Sequence, residues 1–168
     1  TAVYPFTPQL AVTDAIIEIS SVPTFVGVGG GPTPPRRAID LALHAELKGA
    51  CGVVLNAPTK LETIKAVAEH IDIAVICTVA SLDEDFMKKV EAGANILNIS
   101  GGKHTPELVA KVRKEVGEDF PIIATGGPSD ESIINTITAG ANAITYTPPT
   151  TAEIFEQVMD SYRVKLED

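Results

Sequence analysis

One point in this sequence brings a lysine and a histidine together behind an apolar run: Ser100-Gly101-Gly102-Lys103-His104, after Ile96-Leu97-Asn98-Ile99. Lys103 can hold a substrate anion, or form a Schiff base with a carbonyl if burial lowers its pKa, and His104 can move a proton near neutral pH. The competing reading makes Thr105 a helix cap and leaves Lys103-His104 in solvent. A second candidate is Thr125-Gly126-Gly127. Glycines without side chains let a ligand approach the backbone, and with a helix N-terminus behind them their N–H groups suit phosphate. The competing reading is a tight turn. A third is Gly29-Gly30-Gly31-Pro32-Thr33 with Arg36 and Arg37 behind it, either an anion site with a bidentate guanidinium, a flexible lid, or a solvated loop. The G-x-G-x-x-G spacing is not met, so a Rossmann nucleotide site has no support.

Several polar or soft residues interrupt otherwise apolar runs: Asn56, Cys77, Thr78, Asn98, Ser100 and Thr125. Burying such groups unpartnered is costly. If these runs are barrel strands, alternate residues face the interior and several of these groups converge on one mouth. Asp83, Glu84 and Asp85 read as the acidic start of a helix behind Ser81, and His44 and His70 as surface or packing residues. No His/Cys/Asp/Glu arrangement of metal-binding spacing is present, so no metal is expected. No cofactor is required by the sequence.

The elements that must position these residues follow from periodicity. Six short apolar runs alternate with longer segments of helical spacing, the pattern of parallel strands buried on both faces. The strands are expected at Thr24–Gly29, Gly52–Asn56, Ile73–Val79, Ile96–Ser100, Ile122–Thr125 and Ala143–Thr147. The helices are expected near Pro35–Lys48, Lys60–His70, Leu82–Ala92, Pro106–Val116, Asp130–Ala139 and Ala152–Lys165. Ser or Thr precedes each helix as a potential cap, with capping boxes read at Thr59–Glu62 and Ser81–Glu84. Gly49-Ala50, Gly93-Ala94 and Gly140-Ala141 stop three helices, and their spacing hints at duplication. Residues 1–22 read as an irregular lead, through Tyr4-Pro5-Phe6-Thr7-Pro8, followed by one short helix.

Repeated βα units admit a closed barrel or a doubly wound open sheet. A full barrel needs at least ~200 residues, more than the 168 present. Yet polar, glycine-rich content decorates every strand-to-helix loop, which fits a barrel with its ligand at the strand carboxyl ends. The expectation is one α/β domain over residues 1–168: a parallel (β/α) barrel of TIM type, incomplete toward its N-terminal end. Such an open ring should be covered by a homo-oligomeric partner or by the N-terminal segment.

Toward the end of the chain, Phe120-Pro121-Ile122-Ile123-Ala124-Thr125-Gly126-Gly127 followed by Ala139-Gly140-Ala141-Asn142-Ala143-Ile144 resembles the closing quarter of phosphate-binding TIM barrels. That group includes the ribulose-phosphate-binding enzymes and, more distantly, FMN-dependent nitronate monooxygenases and inosine-monophosphate-dehydrogenase-like barrels. The run Gly93–His104 also looks a little like a nitronate monooxygenase loop. The resemblance implies a phosphate between Gly126-Gly127 and the start of the last helix. There the chain departs from the pattern: Thr147-Pro148-Pro149 removes two N–H donors, and the hydroxyls of Thr147, Thr150 and Thr151 are the available substitutes. The Asp-x-Lys-x-x-Asp signature of phosphosugar decarboxylases is absent, and no strand carries a lysine of the barrel-aldolase kind.

Composition narrows the partners. A formal net charge of -9, from 22 acidic and 13 basic side chains, repels a phosphodiester backbone, so no nucleic acid partner is expected. No apolar stretch approaches the ~20 residues of a membrane span, no secretory signal is visible, and two cysteines in apolar runs suggest buried reduced thiols and a cytoplasmic setting. The expected function is binding of a phosphorylated small metabolite at the carboxyl-terminal rim of the barrel, with lyase or isomerase chemistry on a phosphosugar-like substrate. Lys103 would act on the substrate, and Gly126, Gly127, Thr125, Thr147, Thr150, Thr151, Ser100, Gly101, Gly102, Asn56, Gly30, Gly31 and Arg36 would bind it. The alternatives are an FMN-binding oxidoreductase and a non-catalytic sensing or scaffold domain.

Overall fold

All six apolar runs become strands, and all six strands are parallel. A computed structural model describes residues 8–127, 129–146 and 149–167, with the side chains of the last helix described to residue 163. In chain order the elements are α1 (Leu10–Ile19), β1 (Phe25–Gly29), α2 (Pro35–Leu47), β2 (Gly52–Leu55), α3 (Leu61–Ala68), β3 (Ala74–Val79) and α4 (Phe86–Glu91). Then follow β4 (Ile96–Ile99), a 3-10 turn (Gly102–His104), α5 (Thr105–Val116), β5 (Ile122–Thr125), α6 (Asp130–Thr138), β6 (Ala143–Thr145) and α7 (Thr151–Glu167). The sheet order is β1-β2-β3-β4-β5-β6. The order never reverses, so there is no topological switch point and the doubly wound alternative falls away. Right-handed crossovers in this order keep the helices on one side of the sheet. The result is a half-barrel, an incomplete barrel of TIM type, with no pairing of β6 to β1 among the described residues.

Two residue sets alternate along the strands. Val53, Leu55, Val75, Cys77, Val79, Leu97, Ile99, Ile122 and Ala124 join Ala42, Ile64, Val67, Leu108 and Val112 in one buried core between sheet and helices. Full burial of an aliphatic side chain of this kind contributes roughly 1.5–3 kcal/mol. The intervening residues, Val54, Asn56, Ile76, Thr78, Asn98, Ile123 and Thr125, form the other face. Register places Thr78 beside Asn98 and Asn98 beside Ile123.

The amino ends of the strands are pinned by side chains that the glycine stops deliver. Gly93 and Gly140 take positive φ, 113° and 112°, and each releases a Gly-Ala-Asn sequence into the next strand. Asn95 Oδ1 accepts from Val75 N–H at 2.8 Å, and Asn142 Oδ1 accepts from Ile122 N–H at 2.8 Å. Two of the three Gly-Ala stops, at Gly93 and Gly140, therefore share a structural job. Arg113, buried at the foot of α5, donates to the carbonyls of Gly117, Phe120 and Gly140 and to Asn142 Oδ1.

The structure corrects some boundaries. The one short helix expected in residues 1–22 is α1, Leu10–Ile19, and the proline-rich lead before Pro8 lies outside the described residues. Helix α4 begins at Phe86, with Asp85 as its cap in place of Ser81, because Glu84 is drawn away to Ala80 N–H and Lys89. Thr59 does not cap α3; its hydroxyl donates to Asn56 O. Cys51 is exposed rather than buried, since it precedes β2, whereas Cys77 is buried.

Candidate functional site

The carboxyl ends of β2, β3 and β4 carry a row of uncharged polar side chains at one level. Asn56 follows Leu55, which pairs with Cys77, so Asn56 lies level with Thr78 and thus with Asn98. Asn98 Nδ2 donates to Thr78 Oγ1 at 3.1 Å, and the Thr78 hydroxyl reaches Asn56 Oδ1 at 3.5 Å, the outer limit of a useful bond. The far ends of the row, Asn56 Nδ2 and Asn98 Oδ1, are buried with no hydrogen-bond partner among the described residues. Each such orphan costs about 1–3 kcal/mol. One level further out, the Thr125 hydroxyl donates to Ile99 O at 3.3 Å. Of the polar strand residues picked out by sequence, Asn56, Thr78, Asn98 and Thr125 share this face. Cys77 does not: it lies among the helix-facing residues, and burial, with lesser opposing influences of Lys89 and Glu84, pushes its thiol pKa up to about 12. That removes it as a nucleophile near neutral pH.

Beside this row, a cavity of about 500 Å³ opens between the starts of α5 and α6, lined by Gly102, Lys103, Thr105, Thr125, Gly126, Gly127, Ser129 and Ser132, among others. Two candidates from separate parts of the sequence, Lys103 and Thr125-Gly126-Gly127, are thereby brought together. The Lys103 turn is held in place: Gly101 N–H donates to Thr105 Oγ1 at 3.1 Å, and the Thr105 hydroxyl donates to Gly102 O at 2.8 Å. Lys103 itself is exposed, and His104 leans on Glu107 at 3.4 Å in solvent, as the competing reading had it, but Thr105 is the first residue of α5 rather than its cap. Ser100 is exposed just beyond β4, its N–H donating to Val79 O.

The two glycines of the β5 loop have different duties. Gly126 N–H donates to Thr145 O at 2.9 Å, so that amide belongs to the sheet and is not available to an anion. A Cβ there would lie 2.5 Å from Ile144 Cγ2 and 2.8 Å from Ile133 Cγ1, so close packing demands glycine. Gly127 has φ +76° and lines the cavity, and its N–H makes no backbone bond among the described residues. Behind it, Ser129 and Ser132 form a reciprocal capping box at the start of α6, and Ser132 Oγ donates to Gly126 O at 2.7 Å. Asp130 and Glu131 in the first turn offset the positive end of this helix.

The remaining candidates lie elsewhere. Gly30 and Gly31 line a separate cavity of about 170 Å³ with Thr33 and Lys60, among others. Added Cβ atoms would meet Asn56 O and Pro58 O. Arg36 is exposed on α2, three strands away from the Lys103 loop in sheet order. Thr150 spends its hydroxyl on Glu153, donating at 2.7 Å as part of the start of α7, and Thr151 is exposed beside it. Neither lines the Lys103 cavity. Thr147 lies outside the described residues.

Lys89 was not singled out by sequence. It is 3% exposed, donates from Nζ to Thr78 O at 2.6 Å and pairs with Glu84, whose other oxygen accepts from Ala80 N–H at 3.0 Å. This pair fixes the loop after β3 and the backbone of the central residue of the polar row. The signal was a lysine three residues after Phe86, on the buried side of a short helix. Among the described residues no three or more His, Cys, Asp or Glu are grouped to hold a metal, and no helix is long and apolar enough to cross a membrane.

No family model matches the chain. It is 34% identical over 116 residues to a 4-hydroxy-tetrahydrodipicolinate synthase from Afipia carboxidovorans, covering 59% of this chain and 38% of that relative. The chain thus spans well under half the length of that protein. Among solved structures, it superposes with a TM-score of 0.64 on dihydrodipicolinate synthase from Aquifex aeolicus, at 20% identity, covering 84% of this chain and 54% of that one. It superposes with a TM-score of 0.68 on 2,3-dimethylmalate lyase, a member of the PEP mutase/isocitrate lyase superfamily, at 18% identity, covering 94% of this chain and 63% of that one. None of these is a nitronate monooxygenase, so the distant likeness to those enzymes is not supported. At these identities the structural likeness establishes the fold: this chain has the architecture of a major part of a TIM-type barrel.

Proposed function

We propose that the chain carries the substrate-binding rim of a lyase acting on a small phosphorylated or carboxylated metabolite. The carrying observation is the cavity that gathers Lys103, Thr125 and Gly127 at the carboxyl ends of β4 and β5. In TIM-type barrels the strand carboxyl ends are where chemistry is built. Lys103 supplies the cationic group lining the cavity, where it meets the phosphate or carboxylate. Gly127 N–H and the Ser129 hydroxyl orient that anion, while the Thr125 hydroxyl is already given to Ile99 O. A lyase must stabilise negative charge as a bond breaks, and an ammonium held at a fixed turn serves that need electrostatically. The sequence relative is a synthase and one fold neighbour is a lyase, which supports this class of chemistry.

The test is a thermal-shift panel of inorganic phosphate, phosphoenolpyruvate, isocitrate and 2,3-dimethylmalate, with FMN as the competing occupant. A ligand present at about 100 times its Kd stabilises by about 2.7 kcal/mol. At least one anion should raise the midpoint, Lys103→Ala should abolish that rise, and FMN should leave the protein colourless and its midpoint unmoved. A rise with FMN alone would replace this reading with an oxidoreductase.

A further inference from the structure

The cavity of about 170 Å³ at the loops after β1 and β2 shares no lining residue with the Lys103 cavity. Residues 30–35 supply one side of it, and Lys60 and Thr63 the other. Its two loops are in backbone contact: Cβ atoms added at Gly30 and Gly31 would lie 2.8 Å from Asn56 O and 2.6 Å from Pro58 O. The glycines there serve a close approach, and the seam they form is built into the fold. Arg36, the cation that the sequence pointed to, does not line it; Lys60 takes that place.

Unused donors gather on the Lys60 side. Thr63 is 4% exposed and lines the cavity, yet its hydroxyl makes no hydrogen bond among the described residues and is not one of the two sealed orphan atoms. It therefore meets solvent through the cavity. Lys60 is exposed and pairs with no carboxylate among the described residues. It is the N-cap of α3 but supplies no side-chain cap, and Thr59 spends its hydroxyl on Asn56 O. The N–H groups of Leu61 and Glu62 are thereby left without backbone partners among the described residues. On the other side, Pro32, Pro34 and Pro35 offer ring carbons and no N–H. A tetrahedral oxyanion held by Lys60 would press undonated oxygens against those rings, which is costly. A carboxylate confines its charge to one end and leaves a carbon body to rest on them. The volume is several times the ~30 Å³ share of one liquid water, so that body is compact.

We infer that this seam is a second ligand site, independent of the Lys103 cavity, and that it takes a small monocarboxylate with a compact apolar body. The carboxylate accepts from Lys60 Nζ, from the Thr63 hydroxyl and from the uncapped start of α3, and the carbons lie on the prolines. An occupant so placed ties the loop after β1 to the loop after β2.

The experiment is titration of the ¹⁵N-labelled whole chain with isobutyrate, its uncharged isostere isobutyramide, and inorganic phosphate. Isobutyrate should give saturable shifts at the amides of Gly31, Leu61, Glu62 and Thr63, while isobutyramide and phosphate should not saturate there. Lys60→Gln should weaken isobutyrate binding about tenfold, and Thr63→Val, which keeps the shape and drops the hydroxyl, about fivefold. Both variants should keep the wild-type melting midpoint in the absence of ligand, since Lys60 is exposed and the Thr63 hydroxyl bonds to nothing in the fold. Equal response to isobutyramide would make the seam a merely apolar hollow, and an equal or stronger response to phosphate would refute a monocarboxylate; either overturns the inference. So does isobutyrate binding that survives in both variants. No saturable shift at these amides, whatever happens at Lys103 and Gly127 in the same spectra, means that the seam holds water alone and overturns the inference without touching the other site.

Discussion

At the scale of single residues, the site is decided by which groups are already committed. Gly126 looks like a phosphate glycine and is a packing glycine, its N–H given to Thr145 and its missing Cβ to Ile144 and Ile133. Gly126→Ala should therefore cost about 1–3 kcal/mol of stability through overpacking, read as a lowered urea midpoint; an unchanged midpoint would return the residue to a ligand role. Lys89→Met keeps the bulk and removes the ammonium, leaving Thr78 O without that donor and Glu84 without its cation. About 1–3 kcal/mol should be lost, and a neutral result would show that the loop after β3 holds itself. The polar row was legible because Asn56, Thr78 and Asn98 interrupt apolar strands. Its neighbour Cys77 was set apart only by register, since one step along a strand reverses the face. Lys89 was missed beside Lys88, because only its three-residue spacing from Phe86 separates the two adjacent lysines on this short helix.

At the scale of elements, caps and ties explain both the agreement and the slips. Strand β5 was placed to the residue by its apolar run, whereas the start of α4 shifted because three consecutive carboxylates compete to cap it and only tertiary contacts choose Asp85. Ser129→Ala removes the α6 cap at the cavity edge and should cost about 1 kcal/mol; calorimetric melting checks it, with no change as the contrary result. Helix α1 is tied to α2 through Asp14, whose carboxyl lies 2.6 Å from His44 Nε2. That hydrogen bond first, and the charge of Lys48 next, hold the Asp14 pKa below its ordinary 3.8. A depressed carboxyl contributes stability above its ordinary pKa and loses it as pH falls through the lowered value. Wild type and Asp14→Asn should thus differ in melting midpoint near neutral pH and converge on acidification below 3.8. A gap that persists in acid would remove Asp14 ionisation as the source of the tie.

At the scale of the whole molecule, the half-barrel leaves apolar surface uncovered. Ile154, Phe155, Val158, Met159 and Tyr162 are exposed on α7, as are Ile134 and Ile137 on α6. The homo-oligomer expected from an open ring therefore predicts concentration-dependent mass in light scattering, reduced by Phe155→Glu with Val158→Glu; a single monomeric mass at all concentrations would contradict it. The sequential strand order was legible from the βα rhythm and the decorated loops, but the meeting of the Lys103 and Gly127 loops was not, because it depends on two crossovers packing side by side. The central claim is that this meeting place binds a small anion. Titrating the ¹⁵N-labelled chain with phosphoenolpyruvate and following backbone amides tests it most directly: saturable shifts should centre on Lys103, Gly127 and Ser129. Shifts confined to Gly30 and Gly31, or no saturable shift at all, would contradict it.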